Sequence, residues 1–134
     1  MESQSNEYLE ILHFNDVYVL TETEGKAGVP TTGGAARFVT AMKENGCERK
    51  LVLFSGDLLA PSLLSEFFKG MQFVEVFNAL KVQVSCLGNH DVFDYGVNNF
   101  VEFDLRSRAL VKKTTDKTER KYNHWLMANC ELEG

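Results

Sequence analysis

Val82–Gly96, VQVSCLGNHDVFDYG, decides how the chain is organised. Within it Val82, Val84 and Cys86 alternate with Gln83 and Ser85, a period of two in β-branched and small residues that predicts a partly buried strand. Gly88 ends the run, and Asn89, His90, Asp91 and Asp94 follow at once. In an open α/β sheet ligands bind beyond the carboxyl ends of strands, so this amide, imidazole and pair of carboxylates stand where chemistry is usually placed.

Working outward, the same arrangement recurs. Leu51–Phe54 (LVLF) is an apolar run too short for a buried helix and typical of a central parallel strand, and it delivers Ser55-Gly56-Asp57 to the same edge. Leu9–Phe14 (LEILHF) reads as a buried first strand ending at Asn15-Asp16. Trp125–Ala128 (WLMA) predicts a fourth strand. Between strands the apolar period changes to that of a helix. Thr32 is expected to cap a helix with Ala35, Phe38, Val39 and Met42 on its sheet-facing side, and Asn45-Gly46 to stop it. From Ser62 to Leu80 a stripe of Leu64, Phe67, Phe68, Met71, Val74, Phe77 and Leu80 predicts a core helix that kinks or splits near Gly70. Val97, Phe100, Val101 and Leu105 predict another helix. Thr21–Thr32, with Gly25, Gly28 and Pro30, is expected to be loop, and Lys112–Lys121 a solvated connection. The order β-α-β-α-β-α-β implies an α/β domain with a mainly parallel sheet.

Composition bounds the function. With 134 residues, 44% apolar and 25% charged, the chain fits one globular domain. A formal charge of −5 argues against binding nucleic acid through its phosphates and suits a divalent cation. Cys47, Cys86 and Cys130 match neither a disulfide framework nor a cysteine zinc site and are expected to act as small core hydrophobes in a reducing compartment. MESQSNEYLE lacks the basic and apolar regions of a secretory signal, and no apolar run approaches the ~20 residues that span a bilayer, so a cytoplasmic protein without membrane attachment is expected.

Asp16, Asp57 and Asn89 thus occupy three separate strand ends, each an oxygen donor of the kind hard or borderline divalent metals accept. A lone aspartate at a strand end is ordinarily a turn former, but three such ends beside His90 point to a site. Asp57, bridging two cations, would hold them at the roughly 3.5–4 Å spacing of two-metal hydrolysis.

HFNDVY, FSGD and GNHDVFDYG resemble the opening motifs of calcineurin-like metallophosphoesterases, and GGAAR, MANC and FDYG are similar to the 5′-nucleotidase subgroup. The order and spacing of these motifs run over almost the whole chain. The resemblance implies a four-layer α/β/β/α sandwich with a dinuclear metal site that hydrolyses phosphate esters, often of nucleotides. It implies that Asp16 ligates the first metal, Asp57 bridges, Asn89 ligates the second, and His90 faces the phosphoryl group as the catalytic acid–base residue. The two divalent ions it implies are Mn, Zn, Fe, Co or Mg.

Three positions depart from the family pattern. Where the first motif normally has a histidine ligand this chain has Tyr18, a poorer donor as a neutral phenol of ordinary pKa about 10. The subgroup's His-Glu-Phe-Asp spacing carries one extra residue here, with Val92 as the insertion; Asp94 becomes the expected partner of His90 and Asp91 the alternative. The later metal-binding histidines are missing, since His13 and His124 lie in or beside strands and are expected to be structural. Residues 1–134 are therefore expected to be the N-terminal half of a metallophosphoesterase catalytic domain, without any C-terminal nucleotide-recognition domain and inactive alone. The competing expectation is a non-catalytic binding or interaction domain that kept the fold.

Overall fold

The computed structural model describes residues 8–27, 31–44, 49–114 and 124–126. Four strands, β1 (Glu10–Phe14), β4 (Lys50–Phe54), β5 (Val84–Cys86) and β6 (His124–Leu126), form one parallel sheet in that order. A short antiparallel ribbon of β2 (Glu22–Thr23) and β3 (Thr32–Gly33) stands apart from it. The helices are α1 (Ala35–Glu44), α2 (Leu63–Phe68), α3 (Val74–Leu80) and α4 (Val97–Thr114). The α/β class with a parallel sheet, expected from the alternating periods, is what forms.

Side chains alternate across a strand, and registered neighbours point to the same side of the sheet. Phe14, Phe54, Ser85 and Trp125 are in register and therefore share one face. The helices bring their rings to that face. Phe38 of α1 meets Phe14 at 5.1 Å, Phe77 of α3 meets Phe54 at 5.0 Å, and Phe100 of α4 meets Trp125 at 4.8 Å between centroids. Val52, Leu58, Leu59 and Phe73 complete a closely packed core there. The other face carries Ile11, Leu53, Val84, Cys86 and Leu126, of which Ile11 and Leu126 are more than half exposed.

Several expectations change once the elements are assembled. The first strand is not buried on both faces, because β1 lies at the sheet's edge with Leu9 and Ile11 exposed. In β5 the alternation is shifted: Ser85 is the buried residue, turned to the helices, while Val84 and Cys86 are half-buried. Thr32 does not cap α1, since it pairs with Thr23 in the ribbon, and Gly33 and Gly34 turn the chain into the helix at φ 71° and 88°. The stretch 63–80 splits at Gly70, where φ is 79° and an added Cβ would lie 2.5 Å from the Leu59 side chain. Only its second half is core. Phe73, Val74, Phe77 and Leu80 are buried, whereas Leu63, Phe67 and Phe68 of α2 are exposed. α4 runs on to Thr114, so Lys112 and Lys113 belong to a helix; the rest of that basic stretch, Asn45-Gly46, Cys47, Cys130 and Met127-Ala128 lie outside the described residues. Among the described residues no helix is long and apolar enough to cross a membrane.

Candidate functional site

The β1–β4 pairing continues past both strands and carries two aspartates with it. Ser55 N donates to Phe14 O, Asp16 N to Gly56 O and Val17 N to Asp57 O, each at 3.1 Å. Asp16 and Asp57 both adopt left-handed backbone conformations, φ 56° and 62°. Non-glycine residues rarely sit there, at a cost of roughly 1–2 kcal/mol, and aspartate is among those that tolerate it.

The β4 and β5 loops are in backbone contact. A Cβ on Gly56 would stand 2.3 Å from Gly88 N, and one on Gly88 would stand 1.9 Å from Asp57 Oδ1. Glycine is required at both positions because no side chain fits between the loops. In that close approach His90 N donates to Asp57 Oδ1 at 2.9 Å.

Asp91 and Asp94, both candidate partners of His90, separate completely. Asp94 Oδ2 is bonded to His90 Nδ1, and both side chains are partly exposed. Asp91 is fully buried and turns the other way. Its Oδ2 accepts from Asp57 N (2.8 Å) and Gly88 N (3.1 Å), and its Oδ1 from Leu58 N (2.9 Å) and Leu59 N (2.7 Å). Nothing in the local sequence distinguished these roles. What separates them is the π turn Asp91–Gly96 that leads into α4. Its i→i+5 bonds close a ring one residue larger than an α turn's, which is how a helix absorbs an extra residue such as Val92. The pair His90–Asp94 is then spaced i, i+4.

Electrostatics follow from this geometry. The hydrogen bond that His90 donates to Asp94 raises the His90 pKa above its ordinary value; desolvation opposes it, and the charges of Asp94, Asp57 and Asp16 add to it. Burial pushes the Tyr18 phenol up, helped by its bond to Asp16 and by the charges of Asp57 and Asp16. Tyr18 Oη donates to Asp16 Oδ1 at 2.8 Å, and its ring meets His90 edge-on at 6.1 Å. Asn15 Nδ2 donates to the other Asp16 oxygen. Asn89 is exposed at the start of the same helical segment as His90. His13 is bonded through Nε2 to Ser55 Oγ at 2.8 Å, a pairing sequence reasoning missed because 42 residues separate the two. An apolar pocket of about 460 Å³ lies behind the β1 loop, lined by Phe14, Asn15, Val17, Phe38 and Phe77 among others.

These donors fit a hard divalent cation in kind: two carboxylates and an amide oxygen, from three loops that touch one another. The set is partial. Among the described residues no group of three or more His, Cys, Asp or Glu side chains is arranged to hold a metal ion. Tyr18 is arranged as a hydrogen-bond donor to Asp16.

Comparison with known proteins identifies the family. The family model described as calcineurin-like phosphoesterase matches residues 9–131. The chain is 33% identical over 101 residues to a snake venom 5′-nucleotidase of Crotalus adamanteus, covering 70% of this chain and 17% of that protein. It is 31% identical over 101 residues to the snake venom 5′-nucleotidase of Naja atra, covering 70% and 19%, and 30% identical over 102 residues to the 5′-nucleotidase of Homo sapiens, covering 70% and 18%. The chain spans less than a fifth of the length of these relatives.

Proposed function

The chain belongs to the calcineurin-like phosphoesterase family, and from that premise we propose that it forms the first part of a 5′-nucleotidase-like, metal-dependent hydrolase. The observation that carries the reading is the convergence of the β1, β4 and β5 loops, which bring Asp16, Asp57 and the His90–Asp94 pair to one sheet edge.

In this reading Asp16, Asp57 and Asn89 hold divalent ions, two in the complete domain. When bound, such ions neutralise phosphate oxygens and lower the pKa of a coordinated water. Asp94 engages His90 Nδ1 and fixes the ring, so the hydrogen His90 presents to a phosphate oxygen or a leaving alkoxide is the one at Nε2. Tyr18 anchors the Asp16 carboxylate in place of the histidine expected there. The substrate class is a phosphate ester, and the names of the relatives support a nucleoside monophosphate. The half-exposed apolar face of the sheet supports a second layer over Ile11 and Leu126, as a sandwich requires.

A second reading, a binding domain that retained the fold, is favoured by the partial donor set and by Tyr18 donating to Asp16. One experiment separates the two. Metal content and Mn²⁺-dependent hydrolysis of an aryl phosphate and a nucleoside monophosphate are measured for the full-length protein with the complete domain and for its Asp57→Ala variant. Bound metal and turnover, both lost on substitution, support the hydrolase; a metal-free, inactive wild type supports the binding domain.

A further inference from the structure

Asp91 is a buried carboxylate that the proposed chemistry leaves unused. Four backbone N–H groups accompany it, two on each oxygen. An ionised carboxylate offers about four lone-pair sites, so these donors saturate it. Three of them, Asp57, Leu58 and Leu59, belong to the β4 loop, and the fourth, Gly88, belongs to the β5 loop.

The bonding is reciprocal. Asp91, from the β5 side, holds the backbone of the β4 loop, and Asp57, from the β4 side, accepts the His90 N–H of the β5 loop. Between these two bonds lie Gly56 and Gly88, whose backbones are too close to admit a side chain. Asp57 is left-handed at φ 62°, a conformation that persists only where surroundings over-determine it. Asp91 supplies that constraint, since it holds the N–H of Asp57 itself and of the two residues after it.

We propose that Asp91 is the positioning residue of this site: its buried carboxylate clamps the β4 loop so that the Asp57 carboxylate is held where a divalent cation binds. This rests on the reading of Asp57 as a metal ligand. Asp91 itself touches neither cation nor substrate.

The test compares the wild-type protein with Asp91→Asn, which keeps the shape but turns an NH₂ group toward N–H donors. Amide hydrogen exchange is followed residue by residue, and Mn²⁺ binding is measured by calorimetry without substrate. In wild type the amides of Asp57, Leu58, Leu59 and Gly88 should exchange as slowly as those of Val52 and Phe54 in the sheet. Added Mn²⁺ should slow them further, because a clamp that favours the cation is favoured by it. In Asp91→Asn the four amides should lose protection while the sheet keeps its own, and Mn²⁺ affinity should fall roughly 10–100-fold, the usual effect of removing a group that orients a metal ligand. Fast exchange of the four amides in wild type overturns the proposal without recourse to any variant, even if Asp91→Asn fails to fold. So does a folded Asp91→Asn that loses their protection yet binds Mn²⁺ as wild type does. A wild type that binds no Mn²⁺ defeats the metal reading instead; protected amides that depend on Asp91 would then still support the clamp.

Discussion

The loops after β1 and β4 each hold an aspartate in the left-handed region, but they are held in different ways. Asp57 sits among the buried Gly56, Leu58, Leu59 and Ala60, and its loop is fastened by three N–H bonds to one buried carboxylate and by its own bond to His90 N. Asp16 is exposed in the loop that follows an edge strand, and its carboxylate is held by the side chains of Asn15 and Tyr18. A strained residue persists where its surroundings leave it no alternative. The β4–β5 half of the site is therefore built into the core, and the β1 half is attached to the core's rim.

This contrast can be broken at several points. His90 belongs to the built-in half, and His90→Ala in the active protein should lower turnover by roughly 10²–10⁴-fold, the contribution of a positioned acid–base group, while metal content stays unchanged. Steady-state kinetics with metal analysis checks this, and near-normal turnover would remove His90 from the mechanism. Leu59 is fully buried beside the clamp. Leu59→Ala should cost roughly 2–5 kcal/mol of stability in urea unfolding, a range set by how far the cavity collapses. A loss comparable to that of an exposed site would show that the β4 loop is not part of the core. Asp57→Gly relieves the left-handed strain but leaves the part-buried His90 N without its acceptor, so in metal-free solution it should still destabilise, by about 1–3 kcal/mol. Asp16→Gly relieves the same strain and removes only exposed side-chain bonds; its effect should stay within about 0.5 kcal/mol. Equal losses for the two glycine substitutions, measured in the same buffer with chelator, would mean that the halves are equally constrained.

The extent to which the site was legible depends on the range of the forces involved. Short apolar runs, alternating or continuous, that break into Asn-Asp, Ser-Gly or Gly mark strand ends wherever they occur, so Asp16, Asp57 and Asn89 could be assigned to one edge of a parallel sheet from local pattern alone. The break at Gly70 was legible for the same reason: a residue with φ 79° is punctuation in any context.

Tertiary structure decided what depends on partners distant in sequence. Whether Ile11, Phe67 and Phe68 are covered is set by which other elements reach them, and an amphipathic period records a face but not its neighbour. Thr32 carries a good cap signal, yet the pairing with Thr23 claims it. Ser85 reads as the polar side of its strand, and the register with Phe54 and Trp125 turns it inward. Asp91 and Asp94 differ by three positions in one turn, both are carboxylates, and both are within reach of His90 by sequence spacing. What distinguishes them is that four N–H donors, three of them from the distant β4 loop, are aimed at one while the other stays half exposed beside His90, because a carboxylate buried in the core requires hydrogen bonds that the chain can supply only by folding back on itself.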